Sequence, residues 1–459
     1  MSEGNRRGLL TLCAVGVMAL ALGVAACGGG GGGESTAPGT IPKLSNKPIK
    51  LRFLWFEWPP AHALEDFINK EYKKVRPNVT AEVKTVPIAQ WHDAIFTQFA
   101  ARKTSFDMPV LDSQYIGEAV TNGNILDLTD FVKKNIDTKA YDPYLLAAYG
   151  QYPQAQTGQL DPKAHLYGLP LLGDTWAMVY RKDLIGDQPP ATWDEMLAKA
   201  KKCQDDHPGM SGLGFHQQGS GDAAAITFNA VDGVYGGQIW DQKDKKIEGV
   251  FNSPAGHKAI HVLVDRMVPL APKGSGNWFI DEVNAAINQG KVCIAFQWVA
   301  ALGAVLDPKS STLGKTKSQI LDKLGFATLP HEDANPVPLG GMGLHVSKYA
   351  PKDHQAEALN FIKWFEQPAT QKKWAAAGGV PSRKDALSSP QFLNAAPWNK
   401  VYADSVPRLR DFWNLPTYAK LLNVQSTEIN AALTGSMNPD KAVDDIAKKQ
   451  QAILDGGEQ

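Results

Sequence analysis

The sequence has no excess of charge of either sign, and this limits the partners that it can attract. Its 459 residues include 47 Lys and Arg and 47 Asp and Glu. A protein that binds nucleic acid needs a basic face that neutralises phosphates. The even balance of charge therefore argues against nucleic acid as a partner.

Cysteine is also scarce. The chain has 4 cysteines, of which Cys203 and Cys293 follow Cys27. These two form a disulfide if the fold brings them together, but their spacing alone cannot show it, and two buried free thiols are the equal alternative. Because the sequence contains no Cys-x-x-Cys pair, it predicts no metal site of that kind, and it predicts no cofactor.

The motifs of common enzyme classes are missing. The sequence has no Gly-x-Ser-x-Gly motif, and His331-Glu332 is not followed by the second His of a zinc-protease helix. Gly314-Lys315-Thr316 lacks the earlier glycine of a phosphate-binding loop. Acidic residues are plentiful, so the sequence does not exclude a pair of glycosidase carboxylates, although no motif marks such a pair.

Long apolar runs are missing except near the beginning of the chain. Arg6 and Arg7 precede an apolar stretch from Leu9 to Ala26, about 18 residues long and marginal for spanning a bilayer. A basic start, a short apolar core and a small-residue exit predict a secretory signal peptide over residues 1–26. A permanent anchor helix is the alternative, and the lack of basic stop residues after the run disfavours it.

The end of this run, Val24-Ala25-Ala26-Cys27, resembles a bacterial lipobox. The resemblance implies cleavage before Cys27 and attachment of lipid to its thiol, and more than one acyl chain gives a stable membrane anchor. The glycines Gly28–Gly33 and the Ser, Thr and Pro that follow predict a flexible tether over residues 27–47. We therefore expect the mature protein at the extracytoplasmic face of the cell membrane.

The mature chain shows the periodicity of an α/β protein. About 430 residues remain after cleavage, which is enough for two domains. Ile49–Trp55 and Val79–Val86 alternate apolar and polar residues as strands do, and apolar residues at helical spacing follow each of them. Asp107–Asp112 is typical of a third short strand. This order predicts parallel strands with helices on the faces of the sheet.

Tryptophan, in contrast, is abundant. All 12 tryptophans follow Cys27. An aromatic ring packs against the apolar face of a carbohydrate, while carboxylates and amides bind its hydroxyls. Any single tryptophan is more commonly a core residue, but the set favours a ligand cleft beyond the strand ends. Those beside turn residues, acids or predicted strand ends are Trp55, Trp58, Trp176, Trp240, Trp278 and Trp298.

Several longer stretches resemble the extracellular solute-binding proteins of carbohydrate ABC importers. The main one is GLPLLGDTWAMVYRKDLIGDQPPATWDEMLAKAKK, Gly168–Lys202. Others occur in the family's order, namely Leu111–Phe131, Phe279–Trp298, Leu339–Lys348, Ala375–Leu387 and Ala432–Ile446. The resemblance implies a two-lobed periplasmic-binding-protein-like fold, in which each lobe is a mixed sheet flanked by helices and a hinge joins the lobes.

The resemblance also implies where the lobes begin and end. Lobe 1 would comprise residues 48–173 and 340–378, and lobe 2 would comprise residues 174–339 and 379–459. The chain would cross near Gly173–Asp174, return near Gly340 and cross again near Gly379. Ligand would close the lobes, and the membrane subunits of the importer would recognise the closed form.

A set of ligand-binding residues follows from the same resemblance. Trp298 is expected to stack on sugar, and Asp174 to contact ligand, because a charge in an apolar strand is costly unless paired. Asp112 either contacts ligand or caps the next helix, and Trp58 either contacts ligand or packs beside Pro59-Pro60. For Trp278 and Asp222, the alternative is core packing or turn formation. For Arg383 and Arg410, the alternative is a solvated position on the surface. The set is Trp55, Phe56, Trp58, Asp112, Gln114, Tyr115, Asp174, Trp176, Asp222, Trp278, Trp298, Gly340, Gly341, Arg383 and Arg410.

The function expected from these features is that of a lipid-anchored, monomeric binding protein. It would capture a sugar, oligosaccharide or polyol and deliver it to an ABC importer without catalysing a reaction. A glycerophosphate or glycerophosphodiester is the alternative within the family, with Arg383 or Arg410 meeting the phosphate. From other classes, a surface-anchored polysaccharide hydrolase and a cell-wall scaffold stay open.

Overall fold

Residues 36–153, 160–330 and 335–456 are described by a computed structural model of the chain. The predicted signal peptide, the predicted lipidation site Cys27 and the first part of the tether lie outside the described residues, as does His331-Glu332. No helix in the described part of the chain combines the length and the hydropathy that a membrane span requires.

The strands are short, apart from one of 13 residues that runs through the middle of the sheet. They are β1 (Ile49–Phe56), β2 (Val79–Val86), β3 (Met108–Asp112), β4 (Gln151–Tyr152), β5 (His165–Leu166), β6 (Leu169–Arg181), β7 (Ser211–Gly214), β8 (Val292–Trp298), β9 (Leu324–Thr328), β10 (Val337–Leu344) and β11 (Leu409–Arg410).

The helices lie between the strands and after the last long strand. They are α1 (Pro59–Glu71), α2 (Ile88–Ala100), α3 (Ile116–Thr121), α4 (Thr129–Asn135), α5 (Pro143–Gly150), α6 (Lys182–Ile185), α7 (Trp193–Asp206), α8 (Ala223–Val234), α9 (Pro254–His261), α10 (Ile280–Asn288), α11 (Lys317–Leu321), α12 (Lys352–Phe365), α13 (Pro368–Ala376), α14 (Lys384–Leu387), α15 (Pro390–Leu393), α16 (Asn399–Ser405), α17 (Tyr418–Leu433) and α18 (Pro439–Leu454). Short 3₁₀ helices follow β3 at Ser113–Tyr115 and β8 at Val299–Leu306.

Nine of the described strands form one mixed sheet. Its order is β2-β1-β3-β10-β6-β8-β7, with β11 beside β10 and β9 beside β6. β1 is parallel to β2 and β3, whereas β10 is antiparallel to both β3 and β6. The parallel strands predicted from the sequence are thus present, and an antiparallel strand that arrives late in the chain lies next to them.

The first strands and helices follow the sequence closely. β2 covers the predicted range Val79–Val86, and β1 extends the predicted strand to Phe56. Phe53 of β1 packs edge-on against Phe361 of α12, with ring centroids 5.7 Å apart. The alternating apolar residues of β1 therefore face an apolar core between the sheet and this helix.

β6 joins the two parts of the sheet. Its residues Leu169–Thr175 pair with β10, and Trp176–Tyr180 pair with β8. All residues of β6 except Arg181 are buried, as is typical of a strand covered on both faces. The partner strand changes beside Gly173–Asp174, where the sequence predicts the first crossing between lobes; the lobe boundaries themselves stay a prediction.

Cys203 and Cys293 form a disulfide that links α7 to β8, with Cα atoms 6.3 Å apart. Both residues are buried. The sequence left open a disulfide or two buried free thiols, and the structure contains the disulfide.

Candidate ligand-binding site

A cavity opens where several strands of the sheet end. It encloses about 820 Å³, counting the part that is open to solvent. This position agrees with the general rule that open α/β sheets bind ligands beyond the carboxyl ends of their strands. The cavity is lined by Phe56, Trp58, Ile88, Ala89, Trp91, Asp112, Gln114, Tyr115, Asp174, Gln218, Ser220, Gly221, Asp222, Phe279, Ile280, Trp298, Leu339, Gly340, Gly341, Met342, Tyr418 and Leu422.

Aromatic rings at the end of β1 form one wall of the cavity. Phe56 and Trp58 lie with ring centroids 4.5 Å apart, and Trp91 of α2 lies 5.0 Å from Phe56. Trp58 lines the cavity and directly precedes α1, so ligand contact and packing beside Pro59-Pro60 do not exclude each other. Trp55 does not line the cavity. It is fully buried 5.3 Å from Trp58, since successive side chains of a strand point to opposite faces.

Trp298 forms a second aromatic wall from the other part of the sheet. It is the last residue of β8 and is 6% exposed. A Cβ atom on Gly340 would lie 2.5 Å from Cζ3 of Trp298, so the absence of a side chain there makes room for the indole. Trp176 lies behind, edge-on to Trp298 at 5.8 Å, and is fully buried. Trp176 therefore supports the wall and does not itself line the cavity.

Gly341 allows β10 to approach β6 closely beside the cavity. Its φ is +111°, a region in which glycine is the usual residue. A Cβ atom there would lie 2.4 Å from the carbonyl oxygen of Leu172. A residue with a side chain could not occupy this position without movement of the backbone.

Three carboxyl groups line the cavity, and burial favours the neutral form of each. Burial raises the pKa of Asp174 to about 8 and the pKa of Asp222 to about 6. Burial also raises the pKa of Asp112 well above its usual value, and the charges of Asp411 and Asp222 raise it further. A protonated carboxyl group can donate a hydrogen bond to a ligand as well as accept one.

Asp174 lies in β6 and is held by backbone donors. Its Oδ1 accepts hydrogen bonds from the N–H groups of Thr175 at 2.8 Å and Ala300 at 3.1 Å. Ala300 belongs to the 3₁₀ helix that follows β8, so the carboxylate links β6 to the beginning of that helix. These donors offset only part of the cost of burying an ionised carboxylate in an apolar strand, because the pKa of Asp174 stays raised. Asp174 also faces the cavity, and ligand contact there stays a prediction.

Asp112 and Gln114 lie at the end of β3. Asp112 occupies the N-cap position of the 3₁₀ helix Ser113–Tyr115, but its side chain makes no capping hydrogen bond, so the capping alternative lacks the bond that it requires. Nε2 of Gln114 donates to Oδ1 of Asp411 at 2.8 Å. This hydrogen bond holds the amide of Gln114 in place at the cavity.

The two arginines of the predicted set lie elsewhere. Arg383 donates to Asp385 at 3.0 and 3.1 Å and to the backbone carbonyl of Glu366 at 3.2 Å. It is 6% exposed, so it is not a solvated surface residue either. Arg410 donates to the carbonyl of Gly237 at 2.8 Å and lines two neighbouring cavities. Neither arginine lines the cavity described above.

Trp278 also lies outside the cavity lining. It is half-buried, and its carbonyl oxygen accepts hydrogen bonds from the N–H groups of Gln217 at 2.9 Å and Gln218 at 3.1 Å. Because Gln218 lines the cavity, Trp278 positions the loop that carries a lining residue.

Reasoning from the sequence missed several lining residues. Trp91 occurs among apolar residues at helical spacing, a pattern that predicts core burial and not cavity contact. Tyr418 and Leu422 belong to the first turns of α17, and no pattern shows that this late helix reaches the cavity. Gln218 and Ser220 precede Asp222 in one polar loop after β7, and their position after a strand was the signal that could have found them.

Comparison with known proteins identifies relatives over most of the chain. A model of the bacterial extracellular solute-binding protein family matches residues 58–372. A probable amino-acid ABC transporter periplasmic-binding protein of Sinorhizobium fredii is 26% identical over 317 residues, covering 67% of this chain and 69% of that protein. An sn-glycerol-3-phosphate-binding periplasmic protein of Yersinia enterocolitica is 22% identical over 442 residues, covering 88% of this chain and 93% of that protein.

Solved structures share the fold. Maltose-bound MalE3 of T. maritima has a TM-score of 0.76 at 22% identity, covering 88% of this chain and 99% of that chain. A ribitol-bound ABC transporter solute-binding protein of Agrobacterium radiobacter K84 has a TM-score of 0.75 at 23% identity, covering 89% of this chain and 99% of that chain. The two-lobed α/β fold class predicted from the sequence is thereby confirmed. Because the family model matches more than half of its length, the chain belongs to the bacterial extracellular solute-binding protein family.

Proposed function

We propose that the protein captures a carbohydrate, that is a sugar, an oligosaccharide or a polyol, and delivers it to the membrane subunits of an ABC importer. The observation that supports this is one cavity in which aromatic walls from β1 and β8 enclose carboxyl and amide groups. Rings such as Trp58 and Trp298 would pack against the C–H face of a sugar. Asp112, Gln114 and Asp174 would bind its hydroxyl groups.

The charge of the cavity separates this proposal from a glycerophosphate ligand, which the name of the Yersinia relative mentions. A phosphate group is recognised by Arg or Lys donors. The described residues that line the cavity include neither. The same reasoning weighs against the free carboxylate of an amino acid, which the name of the Sinorhizobium relative mentions. The cavity therefore favours a hydroxylated ligand without negative charge.

Closure of two lobes around the ligand is the mechanism that we propose. The lobes would be residues 48–173 with 340–378 and residues 174–339 with 379–459. The cavity draws on both parts of the sheet, so a bound ligand contacts both and favours the arrangement in which they are close. The importer would recognise this closed form of a monomer.

The lipid anchor at Cys27 is part of the same proposal. Its support is the sequence, in which Val24-Ala25-Ala26-Cys27 ends an apolar run. Mass spectrometry of the mature N-terminus tests it. We expect diacylated Cys27 as the first residue, and an unmodified Cys27 or cleavage at another position would contradict the anchor.

A thermal-shift screen tests the proposed ligand class. We expect one or more neutral sugars or polyols to raise the melting temperature, because a ligand that binds only the native state stabilises it. Trp298→Ala should reduce the shift at the same ligand concentration, whereas the control Trp364→Ala should retain it, since Trp364 packs on Tyr72 and lies outside the cavity. A shift that survives Trp298→Ala with Asp174→Ala would refute this site.

A further inference from the structure

We propose that the ligand carries a positively charged amine, so that it is an amino sugar or another hydroxylated amine bound between Asp112 and Asp222. The inference rests on the proposed function, since it assumes that the cavity is the ligand site. It starts from the observation that both acids line one cavity but come from separate segments, the end of β3 and the loop before α8.

Neither side chain has an evident role in the fold. Asp112 and Asp222 both occupy N-cap positions, yet neither makes a capping hydrogen bond. Asp112 accepts hydrogen bonds from the neutral hydroxyl of Ser113 at 3.2 Å and from the backbone N–H of the same residue. Asp174 differs, because two backbone N–H groups satisfy it. Asp112 and Asp222 are therefore the acids whose presence in the cavity local structure does not explain.

Among the described residues, the lining of the cavity contains acidic side chains and no positive side chain. Asp222 and Asp411 both act on Asp112 as like charges, and Gln114 holds Asp411 at 2.8 Å. None of the described residues that line the cavity is Lys, Arg or His. Burial and like charge favour the neutral form of Asp112 in the empty cavity, and a cation placed between the two acids would favour the ionised form of both.

Aromatic rings next to the acids would attract a cation as well. Tyr115 lies with its ring centroid 5.1 Å from that of Trp91 and 6.0 Å from that of Tyr418. All three rings line the cavity. The face of an aromatic ring attracts a cation, most strongly where water is excluded. The rings would also pack against the carbon skeleton of a sugar, so the same wall serves both parts of the ligand.

The cation that fits these acids is organic. Within the described ranges, no three His, Cys, Asp or Glu side chains are placed so that they could hold a metal ion. An ammonium group has three donors, which it can direct to separate carboxylates. Asp112 and Asp222 would thus be bridged by one amine, and each would contribute from a different part of the fold.

Titration calorimetry with matched compounds tests the charge. The full-length mature protein is titrated with D-glucosamine, D-glucose and N-acetyl-D-glucosamine, and with glucamine and D-sorbitol. We expect D-glucosamine to bind at least about tenfold more tightly than D-glucose and N-acetyl-D-glucosamine, and glucamine to exceed D-sorbitol by the same factor. The reason is that one ion pair in a partly dry site changes affinity by about that factor. Added salt should reduce this preference.

Isosteric variants locate the preference in the two acids. Asp112→Asn and Asp222→Asn should each reduce binding of the amine about tenfold more than binding of the neutral compound, because Asn keeps hydrogen-bonding capacity toward hydroxyl groups but loses the charge. Asp281→Asn is the matched control, because Asp281 is exposed at the beginning of α10 and does not line the cavity. Melting curves without ligand establish that each variant is folded.

The possible outcomes separate the two proposals. Neutral compounds that bind as tightly as their amines overturn the charge inference and leave the proposed function in place. An amine preference that persists in both Asn variants also overturns it. If none of these compounds binds and no sugar or polyol of the thermal-shift screen raises the melting temperature, the proposed function fails and the charge inference fails with it.

Discussion

Gly340 and Gly341 are neighbours, but the structure restricts them in different ways. A Cβ atom on Gly340 would lie 2.5 Å from the ring of Trp298, a side chain that borders the cavity. A Cβ atom on Gly341 would meet the backbone oxygen of Leu172 at 2.4 Å, and φ there is +111°. The first clash is with a side chain next to the cavity, whereas the second is with backbone that the pairing of β10 with β6 holds in place.

Alanine at these two positions should therefore separate binding from stability. We expect Gly340→Ala to weaken ligand binding about tenfold by displacing Trp298, with a loss in the free energy of unfolding of about 1 kcal/mol or less. Gly341→Ala should lower the free energy of unfolding by about 2–3 kcal/mol, because alanine is strained at this φ and the backbone must also move. Urea denaturation and ligand titration of both variants measure the two effects. Equal loss of stability in both would contradict this distinction.

Glu366 should make stability depend on pH. It is buried at the end of α12, Tyr141 donates a hydrogen bond to its Oε2, and Arg383 donates to its backbone carbonyl. Burial raises the pKa of Glu366 from 4.5 to about 8. Between these values the folded protein holds one more proton than the unfolded chain, so this residue lowers the free energy of unfolding as pH rises, by about 1 kcal/mol per pH unit.

Glu366→Gln removes this titration. We expect the variant to lose less stability than the wild type between pH 5 and about 8, as measured by urea denaturation at several pH values. The control is Glu248→Gln, because Glu248 is exposed and should leave the pH profile unchanged. Parallel profiles for the wild type and Glu366→Gln would show that Glu366 is ionised throughout.

The contrast between Trp55 and Phe56 explains why only part of the site was predictable from the sequence. The pattern IKLRFLWF identifies a strand and its end, and this places an aromatic cluster beside the cleft. Which of two consecutive apolar residues faces the cavity depends on helices packed against each face, and both residues are buried. Arg383 shows the same limit, because its partner Asp385 is two residues away and no sequence pattern shows that Glu366 completes its environment.

At the level of elements, the disulfide fastens α7 to β8. Trp298, which lines the cavity, ends the same strand that carries Cys293. A cross-link between residues separated by 90 positions restricts the unfolded chain and commonly contributes about 2–4 kcal/mol. Neither cysteine lines the cavity, so its contribution should be to stability alone.

Replacement of both cysteines tests this assignment. We expect Cys203→Ala with Cys293→Ala to lower the free energy of unfolding by about 2–4 kcal/mol and to leave ligand affinity within about twofold. Dithiothreitol should lower the melting temperature of the wild type and have no effect on the double variant. If dithiothreitol leaves the unfolding transition of the wild type unchanged, the two cysteines are not joined.

The elements themselves were predictable where local pattern decides them. Strand alternation gave β1 and β2, and helical spacing gave α2, because each has one apolar face against the core. The position of β10 between β3 and β6 was not predictable from local pattern. All residues of β10, VPLGGMGL, are buried, and four of them are glycine or proline. Its antiparallel pairing depends on partner strands more than 150 residues away in the chain.

At the level of the whole molecule, family membership accounts for the absence of catalytic motifs. The family consists of solute-binding proteins, so the expectation that the protein is not an enzyme is confirmed and the hydrolase alternative is overturned. The acids in the cavity are then, on the proposed function, binding groups. Their raised pKa values need no catalytic explanation, because burial beside other acids is sufficient.

Closure of the two lobes is the remaining prediction at this scale. β6 pairs with β10 before residue 176 and with β8 from there on, so a change of angle between the two parts of the sheet would bend this strand near Asp174. A chain of this size has a radius of gyration of about 22 Å, and small-angle X-ray scattering resolves a decrease when ligand draws the parts together. We expect this decrease on saturation with whichever compound the binding screens identify.

Gly341→Ala, studied at a temperature where it stays folded, separates closure from binding when it is compared with Trp298→Ala. Trp298→Ala should require more ligand but reach the same compact state at saturation, because it removes a contact and leaves the strands intact. The Gly341 variant should bind ligand without the full decrease, since a side chain against the carbonyl of Leu172 alters the junction of β10 and β6. If both variants and the wild type keep one radius of gyration with and without ligand, the cavity binds its solute without lobe movement, and the importer must recognise the protein by another change.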